Sequence, residues 1–378
     1  MNNDMNLKPK KDTQEIVANK TEGKREYDFW EETWRRLRRH RMAIIGGTVI
    51  LILYLLVIFA GFLTPYHPHK GFKKHFFHPP TKIHITDDNG LTRPYVYRTE
   101  STGWAEYKVI KDKKYPIKFF YKGQKYRFLN LFETNLHLFG VDEPAHIFLL
   151  GTDNYGRDLL TRLFYGGRVS MFIGFIGILI TTVIGMLVGG IAGYYGGWID
   201  NILMRFAEVI MSIPGFYLLL ALAAVLPLDI SSTMRFFLII SILAFRGWAG
   251  MSRVIRGMVL SVRNEEYVLA ARAIGAKDKR IIVNHVLPST TTYVIVRATL
   301  AIPGYIIMES GLSFLGLGIQ EPNASWGNML SAAQNVTKIT GFPWLLIPGF
   351  MIVIAVLSYN LLGDGLRDAL DPKATETN

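Results

Sequence analysis

WRRLRRHRMAIIGGTVILILYLLVIFAGFL, residues 34–63, is the stretch that decides the fold class. Its second part, Met42 to Leu63, runs 22 residues without a charge, enough to cross about 30 Å of hydrocarbon at about 1.5 Å per residue. Its first part sets Arg35, Arg36, Arg38, Arg39 and Arg41 directly ahead of that run. A secretory signal peptide would start nearer residue 1 and end in small residues at a cleavage site, whereas this run ends FLTPYHP. It reads as a retained first span with a cytoplasmic N-terminus.

Five more apolar runs follow, at residues 170–193, 202–226, 236–251, 293–312 and 344–362. Six spans return the C-terminus to the cytoplasm, with the odd connections outside and the even ones inside. Residues 253–280, on the inside, hold seven Lys or Arg against three acids. The outer residues 64–168 are also more basic than acidic, 17 against 10, but charge orients a span mainly through short loops. Over the 378 residues 50% are hydrophobic and 19% charged, which excludes a disordered chain, and the lack of cysteine excludes disulfides, thiol nucleophiles and thiolate metal sites. The net charge of +12 then points to membrane lipid with an anionic inner surface, not to nucleic acid.

The expected fold is an all-α polytopic membrane protein of six transmembrane helices carrying a small β-rich extracytoplasmic insertion. Residues 1–41 form a cytoplasmic segment, 42–63 the first helix, and 64–168 an outer loop with its module at about 67–135. Residues 169–366 form a core of five helices with an inner segment at 263–289, and 367–378 a cytoplasmic tail. Within the outer loop, YVYRTESTGWAEYKVI and YPIKFFYKGQKYRFLNLF alternate apolar and polar residues between Gly and Pro, the pattern of strands and hairpins. Seven of the nine histidines lie there, His67, His69, His75, His78, His84, His137 and His146. None sits in a recognised ligand motif, so they are read as solvated or structural, with no metal expected.

In the second run Gly185, Gly189 and Gly193 recur every fourth residue, leaving one helix face flat enough for a neighbouring backbone. The bland alternative is that glycine is simply frequent in membrane helices. Arg205 and Glu208 are at ion-pair spacing near the start of the third run, and Pro214 is expected to bend it. Arg246, inside the fourth run, must face protein or a wet cavity. Arg297 and Glu309 lie twelve residues apart on the fifth, about 18 Å along a helix, too far to pair. Tyr305 and Glu309 are candidates for a translocation path; the alternative for Glu309 is a buried carboxylate that holds the bundle together.

No GxxxxGK followed by Ser or Thr, no HExxH and no GxSxG occurs, so the chain has no phosphate-cradling loop and no paired hydrolytic groups. Its work is either passive or secondary transport, or it is powered by another chain. The inner segment MSRVIRGMVLSVRNEEYVLAARAIGAKDKRIIVNHVLPS, residues 251–289, bears on that choice. EEYVLAARAIGA is rich in helix formers, Gly275 can end or turn the helix, KDKR is a polar turn, and a second helical stretch is expected to stop at Leu287 and Pro288. A helix, turn and helix beneath the bilayer make a knob that suits a socket on a soluble protein.

Here the chain resembles the permease subunits of binding-protein-dependent ABC importers, in the oligopeptide and dipeptide permease family, and within it the C-type subunit. That family's coupling segment reads approximately EAA, three residues, Gly, nine residues, Ile, any residue, Leu-Pro; Ala270, Ala271, Gly275, Leu287 and Pro288 hold the matching positions. Leu269 stands where the broad pattern has Glu and His285 where it has Ile, and the peptide-type variant YVxAARAxGA with a His-x-Leu-Pro ending fits better. HIFLLGTDNYGRDLLTRLFYGGRVS, ESGLSFLGLGIQEPNASWGNML and NLLGDGLRDALDP resemble the same family, through residues that include Gly151, Asp153, Arg157, Asp158, Arg162, Ser170, Glu309, Ser313, Trp326, Asp364 and Arg367. Residues 67 to about 135 depart from it, since the usual first outer loop is far shorter.

The resemblance implies a homologous second permease, two cytoplasmic ABC ATPases and an extracytoplasmic substrate-binding protein as partners, in a bacterial cytoplasmic membrane. It implies that Glu265, Glu266, Ala270, Ala271, Gly275, Ala276, Lys277, Leu287 and Pro288 couple to an ATPase, and that the chain is no enzyme and binds no cofactor, ATP and Mg belonging to the ATPases. Peptides are the leading cargo, with oligosaccharides or nickel chelates as alternatives. A secondary transporter would need inverted repeats and its own ion site, and a membrane scaffold would leave the paired inner helices unexplained.

Overall fold

The computed structural model describes residues 29–87, 90–128, 131–227 and 230–371; the expected N-terminal segment up to residue 28 and the tail from 372, with Pro372, lie outside the described residues. Thirteen α-helices and five strands follow in chain order: α1 Phe29–Arg39, α2 Arg41–Ile58, α3 Ala60–Leu63, β1 His84–Asp87, β2 Gly90–Gly103, β3 Glu106–Pro116, β4 Lys118–Phe128, β5 Phe132–Gly140, α4 Leu159–Tyr195, α5 Gly197–Ser212, α6 Gly215–Ala224, α7 Ser232–Val262, α8 Glu266–Ala273, α9 Asp278–Ile281, α10 Thr291–Phe314, α11 Trp326–Ser331, α12 Val336–Gly341 and α13 Ile347–Leu370.

Among the described residues five helical stretches are long and apolar enough to cross a membrane, and the pair α5 and α6 passes the same test together while bent by 82°. The bend has a local cause. Pro214 has no N–H to donate and forces the residue before it out of the helical region, and Ile213 is indeed extended, with φ −82° and ψ 126°. The first apolar run divides too, into α2 and the single turn of α3, with Phe59 between them. At its N-terminal end His40 separates α2 from the amphipathic α1, and its Nδ1 accepts the Ala43 N–H at 3.1 Å. Leu37 of α1 packs against Ala43 and Ala369.

The centre is α4, flanked by α7 along most of its length and by α10. At 37 residues it is about 55 Å long, more than a bilayer's hydrocarbon, so its ends protrude. Asp158 caps it by accepting the Thr161 N–H at 2.8 Å. Its glycines form the seam with α7: a Cβ on Gly185 would meet Met251, on Gly189 the Ser252 carbonyl, and on Gly193 Val259. On the other side of the bundle α2 lies along α13, with the Tyr54 and Tyr359 hydroxyls 2.8 Å apart.

The insertion holds an antiparallel sheet in the order β1-β2-β3 and a separate hairpin of β4 and β5. Tyr97 pairs with Lys114, and Tyr121 with His137. Val96, Tyr115, Val141, Ala145 and Ile147 form its small core. The strands run on to Gly140, because the alternation of FETNLHLFG pairs with β4 over its whole length.

Candidate functional site

The knob is built where α7 leaves the bundle. α8 ends in a Schellman turn: the Ala276 N–H donates to the Ala271 carbonyl at 3.1 Å and the Gly275 N–H to that of Arg272 at 3.0 Å. That closure needs a left-handed residue, and Gly275 supplies φ +81°. Lys277 then stands at the start of α9, its backbone carbonyl accepting the Arg280 and Ile281 N–H groups. The chain does not stop at Leu287 and Pro288, as the sequence suggested. Residues 282–286 form a π turn and 287–290 a 3-10 turn, which let the helix path run past the proline that cannot donate, into α10.

One face of the knob is buried: Val268, Ala271, Ile281, Ile282, Val286 and Leu287 pack against Met251, Ile255, Val259 and Tyr194. Polar contacts fix it to the ends of α4 and α7, the Tyr194 hydroxyl donating to Asp278 at 2.8 Å and Arg263 to the Gly193 carbonyl at 3.1 Å. Asp200 at the start of α5 accepts two bonds from Arg256, at 2.8 and 2.5 Å. The opposite face is bare. Glu265, Glu266, Ala270, Gly275, Lys277 and Pro288 are exposed there, while Ala271 and Leu287 are buried and Ala276 is half-buried. Sequence reasoning missed Tyr267, Leu269 and Ile274, which share the bare face, Ile274 at 85% exposure. The available signal was three large apolar residues in a segment otherwise polar toward water.

Tyr305 and Glu309 lie four residues apart on α10 and face α4. The Tyr305 ring fills the space left by Gly177, and its hydroxyl lies 2.5 Å from Thr181 Oγ1. Glu309 is 0% exposed. It accepts from Ser170 Oγ at 2.9 Å on α4 and from Ser313 Oγ at 2.6 Å on its own helix. Ser170 Oγ in turn accepts the Trp326 N–H at 3.1 Å, so one carboxylate draws α4, α10 and α11 together.

Arg205 pairs with Glu208 at 3.0 Å on the exposed side of α5. Arg246 lies against the start of α6, where a Cβ on Gly215 would strike its guanidinium; its buried Nε finds no hydrogen-bond partner. Arg297 lines a cleft of about 680 Å³ together with Tyr293, Arg367 and Asp371.

At the far end of α4 an ion cluster joins two distant segments. Arg157 donates to Asp153 at 2.7 Å and also pairs with Glu321; Arg162 donates to Glu321 at 3.0 Å and to the Pro322 carbonyl at 3.1 Å. Two guanidiniums thus share two carboxylates, which is what lets such charges be buried. Beside them burial pushes the Asp158 carboxyl up to about 7, against the pull of its bonds from Thr161. Three of the histidines come together: His75, His78 and His146 sit in an aromatic cluster with Phe72 and Phe148, and burial pushes His78 and His146 down to about 4.

Comparison with known proteins adds the following. Residues 185–376 match the family described as binding-protein-dependent transport system inner membrane component, and residues 28–80 match the N-terminal TM domain of oligopeptide transport permease C. The chain is 35% identical over 346 residues to the dipeptide transport system permease protein DppC of Bacillus subtilis, covering 91% of this chain and 86% of that one. It is 40% identical over 241 residues to the oligopeptide transport system permease protein OppC of the same organism, covering 63% and 76%. With OppC of Haemophilus influenzae the identity is 43% over 232 residues, covering 61% and 71%.

Proposed function

We infer the mechanism from one premise: this chain belongs to the binding-protein-dependent transport-system inner-membrane components, among the oligopeptide and dipeptide permeases. It is a transmembrane permease subunit of an ATP-driven importer, and its cargo is short peptides, as the names of its relatives support. The observation that carries the mechanism is the knob, buried on one face against the ends of α4 and α7 and bare on the other with Tyr267, Leu269 and Ile274. A rigid projection with exposed apolar side chains fits a socket on a partner. The partners are two cytoplasmic ATPases, which hold the ATP and Mg, a homologous second permease, and an extracytoplasmic binding protein.

Nucleotide in the ATPases favours different separations of the two sockets. Each knob follows its socket, and α4 and α7 follow the knob, so access alternates between the two faces of the membrane. The chain itself makes and breaks no covalent bond. In this reading α5 and α6 count as one broken span, giving six, with both termini cytoplasmic and the insertion outside, where it shapes or docks the binding protein. The enclosure of Tyr305 and Glu309 between α10 and α4 supports a bundle-holding role for both, with the path on surfaces that face the second permease.

The test is to purify the binding protein that stimulates the ATPases of this permease and identify its retained ligand by mass spectrometry. Short peptides, competing with transport, are expected. Recovery of oligosaccharides or nickel chelates alone, with transport of the same compound and no peptide competition, overturns the cargo and leaves the permease assignment standing.

A further inference from the structure

The β4–β5 hairpin is fastened to the end of the first span. The His137 Nδ1 lies 3.0 Å from the Gly61 carbonyl oxygen and 2.6 Å from that of Thr64, while its Nε2 lies 2.8 Å from that of Gln124 on β4. A Cβ on Gly61 would run into the Tyr126 ring. Two aromatic contacts continue the attachment, Phe59 with Phe128 at 5.5 Å and Phe62 with Phe120 at 6.4 Å between ring centroids.

These contacts set a depth. From Arg41 to Phe59 the helical path climbs about 27 Å, just short of the roughly 30 Å of hydrocarbon, so Phe128 meets Phe59 at the boundary of the apolar layer. They also tie both halves of β4 to one end of the span, Phe120 meeting Phe62 and Phe128 meeting Phe59.

The hairpin's outer surface matches that position. Leu131 is 77% exposed and Phe132 58%, with Phe119 and Phe120 also exposed. Phe128 packs on Phe132 at 5.5 Å as well as on Phe59, so a line of aromatic rings runs from the end of the span to the hairpin's end. Lys122 and Lys125 are exposed on the same strand, and Phe120 is held at φ +54°, an unfavourable conformation for a bulky residue.

We propose that the β4–β5 hairpin is an interfacial membrane anchor: Phe128, Leu131 and Phe132 enter the extracytoplasmic leaflet and Lys122 and Lys125 meet phospholipid phosphates, as aromatic and basic residues do at membrane boundaries. The occupant of this surface is lipid. The proposal rests on the reading that this end of the first span is extracytoplasmic, which the test checks separately.

Because the chain has no cysteine, single labels are specific once the partner subunits are cysteine-free. Nitroxides on Leu131→Cys, Phe132→Cys and, as a reference in the adjoining sheet, Lys111→Cys would be compared in the complete complex in phospholipid nanodiscs, using collisions with oxygen and with a water-soluble nickel chelate. The anchor predicts that 131 and 132 favour oxygen and 111 favours the chelate. Equal chelate access at all three positions overturns it in favour of water, and protection of 131 and 132 from both reagents overturns it in favour of a covering protein. Labelling of Lys111→Cys in spheroplasts by a membrane-impermeant thiol reagent reports the side of the membrane independently.

Discussion

Glu309 poses a choice between carrying cargo and carrying structure. A buried carboxylate whose acceptors are taken up by Ser170 and Ser313 is costly to remove, because both hydroxyls lose their partner and a cavity replaces the side chain. Glu309→Ala should therefore lower the thermal stability of the purified permease by about 2–5 kcal/mol, and Glu309→Gln, which keeps an acceptor in place, by clearly less. Unfolding in detergent reads both. An alanine variant as stable as the parent, with only peptide uptake changed, would return Glu309 to the pathway. The sequence showed this residue and left the choice open, since Ser170 lies 139 residues away. The Arg157 and Arg162 cluster was hidden for the same reason: Glu321 is more than 150 residues distant.

At the level of elements, helix ends and breaks were more legible than their consequences. Pro214 marks a bend, but nothing local fixes it at 82°; Gly275 marks a turn, and the left-handed Schellman closure follows from that one residue. A Cβ at Gly275 would meet nothing within 4 Å, so Gly275→Ala is a conformational penalty alone, roughly 1 kcal/mol. Ile274→Glu is the sharper test of the knob. Ile274 is almost wholly exposed, so the variant should keep the parent's stability while ATPase stimulation by the loaded binding protein falls at least tenfold; undiminished stimulation removes the knob from coupling.

The insertion is an element with its own pH response. Burial lowers His75, His78 and His146 below their ordinary value, the last two to about 4. The folded module then binds fewer protons than the unfolded chain, so their contribution is complete above about pH 6.5 and is lost as pH falls toward 4. Asp158, raised by burial, acts in the opposite sense between its ordinary range and about 7. Hydrogen exchange in β2 and β3, corrected for intrinsic rate, should show protection lost between pH 6.5 and 4.5. His146→Phe, which preserves the packing on Phe72, should lose less; an equal loss clears His146 of the effect.

For the whole molecule, the apolar runs and the basic inner segment made a polytopic membrane protein legible, because a bilayer imposes length and charge on each span separately. How the hairpin of β4 and β5 meets Phe59 was not, since that contact joins segments whose spacing follows no local period. The proposed division of labour, a permease without chemistry driven by ATPases through a knob, is a property of the assembly and is tested there. Proteoliposomes holding both permeases, the two ATPases and binding protein would be assayed for uptake of labelled peptide with ATP, with a nonhydrolysable analogue, and with ion gradients alone, each with and without ionophores. The account predicts uptake only with hydrolysable ATP and the ATPases present, unchanged by ionophores. Uptake driven by an ion gradient with the ATPases absent would contradict it.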